Sequence, residues 1–417
     1  MSSLSSLWRI KKGTVRHFMV WFILFGIVFL VSAELFYRHI VPARQSPLPS
    51  HDPLFQLRNF NHQATPSGFF SSGRWIQQRS HWTINSWGWN SNLDYRSDAQ
   101  RGPHKAVIFS GDSQIEGFYV NEDEHMAQVY SRLDQKKHPH TFVHGYSMAS
   151  SGFTLATYPT LARYLKHHQI QPYALILLTN PGDFKGISPL WGAPKRSMFP
   201  TYLITPFPNF TIDPASIYPY KSTPFRRFMR QSALVRYLVF NARLNPFGVA
   251  QSRRDLALEK PPLSLNSSTS HTVASNPSTP LQSRTANQWK RLSEEDLLNT
   301  PEAQATFEFL VKQIRHTLPK THIVFLGDSP RSQLKDVLKK GGLKTNTLPS
   351  FAITRFVKAQ CNRLKDCLFF DPTSLFWTEL KAGKSIDFAH NPHWNAHAHS
   401  IIAQGLYQFI KSIDSLD

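Results

Sequence analysis

Five short apolar runs, with helical patterns between several of them, constrain the fold of this chain more than any other feature. Lys105–Ser110 (KAVIFS) passes directly into a glycine, and Thr141–His144, Tyr173–Thr179 (YALILLT), His322–Leu326 (HIVFL) and the weaker Cys367–Asp371 (CLFFD) share its character. Short, nearly continuous apolar runs suit parallel strands covered on both faces. Thr154–His168 repeats Leu155, Tyr158, Leu161, Ala162 and Leu165 at helical spacing, and Glu302–Leu318 does so with Ala305, Phe307, Leu310, Ile314 and Leu318. Ala398–Ile413 closes the chain with Ile401, Ile402, Leu406, Phe409 and Ile410. The alternation predicts an α/β fold, a flavodoxin-like three-layer sandwich with a parallel sheet. In such a sheet, sites form beyond the carboxyl ends of the strands.

The N-terminus carries a different signal. Phe18–Ala33 (FMVWFILFGIVFLVSA) is uncharged, Leu35 and Phe36 extend it, and Arg9, Lys11, Lys12 and Arg16 precede it. A spanning helix takes roughly 20 mostly apolar residues with basic cytoplasmic flanks. The reading is one membrane span at 17–36, with 1–16 cytoplasmic and the bulk of the chain periplasmic on an inner membrane. The alternative is a cleaved signal peptide, because Val31-Ser32-Ala33 resembles a small-residue cleavage site. Either way the main domain is exported, which argues against nucleic acid as a partner. Lysine and arginine outnumber acids 47 to 27, for a formal charge of +20, and this favours an anionic envelope surface. Export permits Cys361 and Cys367 to pair, or they are two unrelated thiols.

Residues 37–100 read as a stalk and irregular lead-in, and 101–417 as the α/β domain. Between the third and fourth apolar runs, 185–300 is too long for one crossover and reads as an insertion. Its first part is aromatic and proline-rich, suited to capping a site, while 251–287 is low in complexity.

The sharpest chemical signal is SGDSQIEGFYV, Ser110–Val120, where an apolar strand runs into Gly111-Asp112-Ser113. Glycine permits the tight turn that presents a serine at a strand end. The helix that follows would turn its first N–H groups toward a developing oxyanion, and a nearby base would activate the hydroxyl. Gly327-Asp328-Ser329 is a second copy, but Pro330 follows it and no downstream glycine does; it reads as an ordinary strand-end turn. At the other end of the chain lies HNPHWNAHAHSIIAQGL, His390–Leu406. His393 and His397 stand four apart, but Trp394 occupies the position where a zincin motif needs glutamate. No metal and no cofactor is read from the sequence.

Gly111-Asp112-Ser113 with Gly117, preceded by Ile84-Asn85-Ser86-Trp87-Gly88, resembles the first block of the SGNH (GDSL-type) hydrolases. His393-Trp394-Asn395 resembles the last. The resemblance implies Ser113 as nucleophile and His393 as general base and then general acid. The orienting acid falls to Asp387, with Asn391 at the position the motif gives to aspartate. In the middle blocks the resemblance implies Ser150, with Gly152 close behind, and Asn180 as oxyanion donors. Two functions stay open: an esterase or O-acyltransferase acting on acyl esters of a cell-envelope or exported carbohydrate, and an envelope protein that keeps the fold for binding or assembly.

Overall fold

The computed structural model describes residues 12–73, 76–188, 190–193, 198–204, 212–214, 223–244, 286–342, 347–389 and 391–414. Residues 1–11, and the low-complexity stretch 251–287 apart from 286 and 287, lie outside the described residues. The described residues within 1–46, 69–79 and 222–263 form one compact unit, and those within 47–68, 80–221 and 264–417 another. Residues 47–68 and 80–100, read as stalk and lead-in, thus group with the α/β unit.

In the first unit, a helix over Arg16–Ile40 has a mean hydropathy of 2.3 with none of its apolar window buried, and is long and apolar enough to cross a membrane. A signal sequence has the same properties.

The second unit is built on five strands: β1 (Lys105–Ser110), β2 (Val143–Ser147), β3 (Ala174–Thr179), β4 (His322–Gly327) and β5 (Leu368–Phe370). Their order is β5-β4-β3-β1-β2, and every pairing is parallel. This is the flavodoxin-like order, in which the direction of winding reverses between β1 and β3. Each apolar run of the sequence became one of these strands.

The strands' period-two alternation builds two cores. Ala106, Ile108, Leu175, Leu177, Ile323 and Phe325 face one layer, whose helices include Tyr158–His167 and Pro301–Thr317. Val107, Phe109, Ile176, Leu178, Val324 and Leu326 face the other, with helices Met126–Lys137, Thr373–Lys381 and Ala396–Asp414. Burial on both faces removes the polar alternation of a half-exposed strand, which is why the runs are continuous. Cys361 and Cys367 form a disulfide that joins the end of helix Ala352–Leu364 to the start of β5.

Gly145 on β2 lies close beneath helix Met126–Lys137. A Cβ there would lie 2.2 Å from the Ala127 carbonyl oxygen. Gly145→Ala therefore pushes Met126–Lys137 off the sheet. Overpacking typically costs about 1–3 kcal/mol and occasionally more. The melting temperature of the purified chain should fall by a few degrees, and an unchanged value contradicts this packing.

Candidate active site

The turn after β1 sits at the reversal point of the sheet. Gly111 is held there by crowding: a Cβ would fall 2.6 Å from the Leu178 Cβ on β3. Asp112 caps the short helix Ser113–Glu116, its Oδ1 accepting the Gln114 N–H at 2.9 Å. Ser113 is the first residue of that turn, where a main-chain N–H has no partner within the helix. Gly117 ends it in the left-handed region at φ 70°. A Cβ there would strike the ring of buried His125 at 2.2 Å, which explains the downstream glycine of the motif. The lead-in packs on the same loop: Asn90 Nδ2 donates to the Glu116 carbonyl at 2.7 Å, and Trp82 meets Phe118 edge to face.

Across 280 residues of sequence, His393 Nε2 lies 2.8 Å from Ser113 Oγ. Both residues are half-buried, so the pair remains reachable. His393 belongs to a hairpin, β6 (Asp387–Phe388) and β7 (Asn391–Trp394). Its ring Nδ1 bonds Asn391 Oδ1, and its main-chain N–H donates to the same oxygen at 3.1 Å. A main-chain N–H can only donate, so it fixes the amide with oxygen toward the histidine. Nδ1 must then carry the proton, and Nε2 presents its lone pair to Ser113. An asparagine is damaging in a triad when its NH₂ faces the ring and imposes the other tautomer; here the hairpin backbone prevents that.

Asp387, expected to orient His393, does not. In the hairpin Asp387 pairs with Trp394 and Phe388 with Asn391, a register shift that leaves Pro392 and His393 bulged between the two pairs. The Asp387 carboxylate is committed to two cations instead of the imidazole. It forms ion pairs with Arg331 Nε at 2.7 Å and Lys335 Nζ at 2.6 Å. Arg331 also pairs with Asp328, donates to the Pro392 carbonyl at 2.8 Å, and lies over the Trp394 ring. The second Gly-Asp-Ser accordingly contributes an anchor for the histidine hairpin, while Ser329 is buried against Thr373 Oγ1 at 2.5 Å.

The expected oxyanion donors fare unevenly. The Ser150 N–H donates to the Gly111 carbonyl at 3.1 Å, so it is engaged and unavailable to an oxyanion, contrary to the sequence expectation. Gly152 has φ 95° and faces Phe199, whose ring a Cβ would meet at 2.7 Å. Asn180 is buried with its side chain against the Asp112 carboxyl, and its N–H donates to Asp183 Oδ2 at 2.8 Å.

Three residues of the site were missed in the sequence. Gln114 grips the histidine strand on both sides: its Oε1 accepts the Trp394 N–H at 2.9 Å and its Nε2 donates to the Pro392 carbonyl at 3.4 Å. Tyr119 stacks on the His393 ring at 3.7 Å between centroids and 16° between planes. Arg331 is the third. Gln114 and Tyr119 stand inside the Ser110–Val120 motif, so their nearness to Ser113 was a usable signal; Arg331 gave none. His397 bonds Glu379 Oε2 at 2.7 Å, and among the described residues no cluster of metal-ligating side chains occurs.

No protein-family model matches this chain, and no curated protein matches it in sequence. Among solved structures, it is similar to an acetylxylan esterase from Geobacillus stearothermophilus at 12% identity and a TM-score of 0.33, covering 76% of this chain and 96% of that one. An α/β hydrolase from the metagenome of Lake Arreo, Spain, gives 10% identity and a TM-score of 0.35 over 76% and 97% of the two chains. A carbohydrate esterase family 2 enzyme with a carbohydrate-binding domain, from Corynascus thermopiles (Myceliophthora fergusii), gives 11% and 0.31 over 78% and 69%. The fold assignment itself rests on the strand order and the parallel pairings.

Carboxylates gather beneath Ser113. Burial, with Asp328 and Glu116 nearby, pushes the Asp112 carboxyl up to about 7. Burial and Asp112 raise Asp183 as well. An unfolded aspartate ionises near pH 4. Between about pH 4 and pH 7 the folded chain therefore keeps a proton on Asp112 that the unfolded chain has released. This contribution to stability is greatest below pH 4, declines as pH rises to about 7, and is flat above. Asp112→Asn keeps the capping oxygen and removes the slope. Denaturant midpoints across pH 4–8 should show the variant gaining on the wild type up to about pH 7; a constant difference contradicts a raised Asp112.

Proposed function

We propose that this chain is a serine esterase or O-acyltransferase acting on acyl esters, with Ser113 as nucleophile and His393 as its base. The observation that carries the reading is the 2.8 Å contact of Ser113 Oγ with a ring nitrogen whose tautomer Asn391 and the backbone dictate. His393 Nε2 takes the Ser113 proton as Oγ bonds to the acyl carbon. The carbonyl oxygen becomes an oxyanion, toward which the Ser113 N–H at the start of its helical turn is a natural donor. His393 then gives the proton to the leaving alkoxide, the acyl–oxygen bond breaks, and an acyl-serine remains. Water or a sugar hydroxyl, deprotonated by the same Nε2, bonds to the acyl carbon, the Ser113 Oγ–acyl bond breaks, and Nε2 returns the proton to Oγ, releasing the acyl group as acid or as a new ester. Asn391 supplies orientation without negative charge, and the face of Tyr119 stacked on the imidazole favours its cationic form.

The substrate class, a cell-envelope or exported carbohydrate ester, follows from the sequence resemblance and not from the dyad. We place the α/β unit outside the cytoplasm, tethered to the inner membrane by the Arg16–Ile40 helix. The Cys361–Cys367 disulfide supports an oxidising compartment. A second reading, a binding or assembly module, is favoured by the engaged Ser150 N–H.

Hydrolysis of a generic aryl acetate separates the two readings. Ser113→Ala and His393→Ala should each lower kcat by roughly 10⁴–10⁶, with the double variant little worse. Asn391→Ala should cost roughly 10²–10⁴, and Asp387→Asn less. Ser329→Ala should leave the rate nearly unchanged. A wild-type rate no higher than that of Ser113→Ala would establish the binding module instead.

A further inference from the structure

The insertion returns to the membrane helix. Glu34 closes the uncharged run Phe18–Ala33, and its carboxylate is fully occupied by a segment about 200 residues later. Oε1 accepts the Ala233 N–H at 2.9 Å, while Oε2 accepts the Leu234 N–H at 3.0 Å and the Ser232 hydroxyl at 2.8 Å. Arg38 bridges the two sides, pairing with Glu34 at 2.6 Å and donating to the Gln231 carbonyl at 3.0 Å. Tyr37 stacks on Tyr237 at 3.9 Å, and the Arg44 N–H donates to Asn241 Oδ1 at 3.0 Å. A clamp of one carboxylate, one ring stack and an asparagine thus fixes 231–241 against 34–44.

The chemistry of the clamped segment is one-sided. Residues 223–244 (TPFRRFMRQSALVRYLVFNARL) contain five arginines, Arg226, Arg227, Arg230, Arg236 and Arg243, and no acidic residue. Arg227 and Arg243 are exposed. Beside them Phe240 and Leu244 are 39% and 50% exposed, and Phe36 and Ile40 on the membrane helix are 42% and 69% exposed. Exposed arginine beside exposed aromatic and aliphatic side chains is the composition of a segment lying in a lipid headgroup layer. Sixteen residues of helix, Phe18 to Ala33, rise about 24 Å, close to the roughly 30 Å of a hydrocarbon core. Whatever is bonded to Glu34 is therefore held at the level where hydrocarbon gives way to headgroups.

We infer that residues 223–244 form an interfacial collar that binds the anionic headgroups of the bilayer through Arg227 and Arg243 and seats Phe240 and Leu244 among the upper acyl chains. The inference rests on the reading that Arg16–Ile40 spans the membrane. The insertion, expected from sequence to cap a site, here supplies a second membrane contact.

The test uses the full chain in phosphatidylcholine vesicles with and without phosphatidylglycerol, carrying one fluorophore at a time on Leu244→Cys or Val28→Cys. Nitroxide lipids labelled near the headgroup should quench the 244 label and not the same fluorophore free in the buffer, and more so with phosphatidylglycerol present. Each basic residue near an anionic surface shifts such a balance about fivefold, so Arg227→Glu with Arg243→Glu should lower the docked-to-free ratio by about 30-fold or more. Glu34→Gln should weaken quenching at 244 without moving the 28 label. A 244 label as unquenched as the free fluorophore, with the 28 label quenched by deep nitroxides, overturns the collar and leaves the span standing. A 28 label untouched by deep nitroxides overturns the span and the collar with it. Equal quenching at 244 in both lipid compositions overturns anionic recognition. Thermal melts of each variant show that the fold is retained.

Discussion

One oxygen atom, Asn391 Oδ1, governs the chemistry of this site. It receives the main-chain N–H of His393 and the ring proton of the same residue. The first bond decides which end of the amide faces the histidine. The second then decides the tautomer, which turns the Nε2 lone pair toward Ser113 Oγ. A neutral orienting group does not offset the charge of the imidazolium, and the stacked Tyr119 ring stands where that deficit arises. The catalytic potential therefore depends on backbone geometry in a four-residue strand.

That strand is held from both sides. Gln114, next to Ser113, bonds the backbone before and after His393, and Arg331 bonds the same Pro392 carbonyl from β4's end. Arg331 is nearly buried between Asp328 and Asp387, and a buried cation with two carboxylates is costly to disturb. The sheet order brings these parts together: β1 delivers Ser113, β3 delivers Asn180, β4 delivers Asp328, and the reversal between β1 and β3 opens the edge where they meet.

Much of this was legible in the sequence, for identifiable reasons. The strands were visible because burial on both faces leaves uninterrupted apolar runs, and the two segments that bring Ser113 and His393 within 2.8 Å stood out as motifs, the first with a mechanical cause in Gly117 against His125. Asp387 misled because spacing along a chain does not say which partners a carboxylate finds in the fold; here Arg331 and Lys335 take it. Ser150 misled because a backbone donor leaves no mark in the sequence and its N–H is engaged by Gly111. The helices Met126–Lys137 and Arg331–Lys339 escaped notice, being largely polar with a narrow apolar stripe.

The claim that Ser113 is a nucleophile activated by an Asn391-oriented histidine is tested most directly by covalent capture. The folded chain is treated with a serine-directed fluorophosphonate and the adduct is located by peptide mass spectrometry. The account predicts a single adduct on Ser113, formed at a much lower rate in His393→Ala and at an intermediate rate in Asn391→Ala. An adduct on Ser329, or a folded wild type that reacts no faster than His393→Ala, would contradict it.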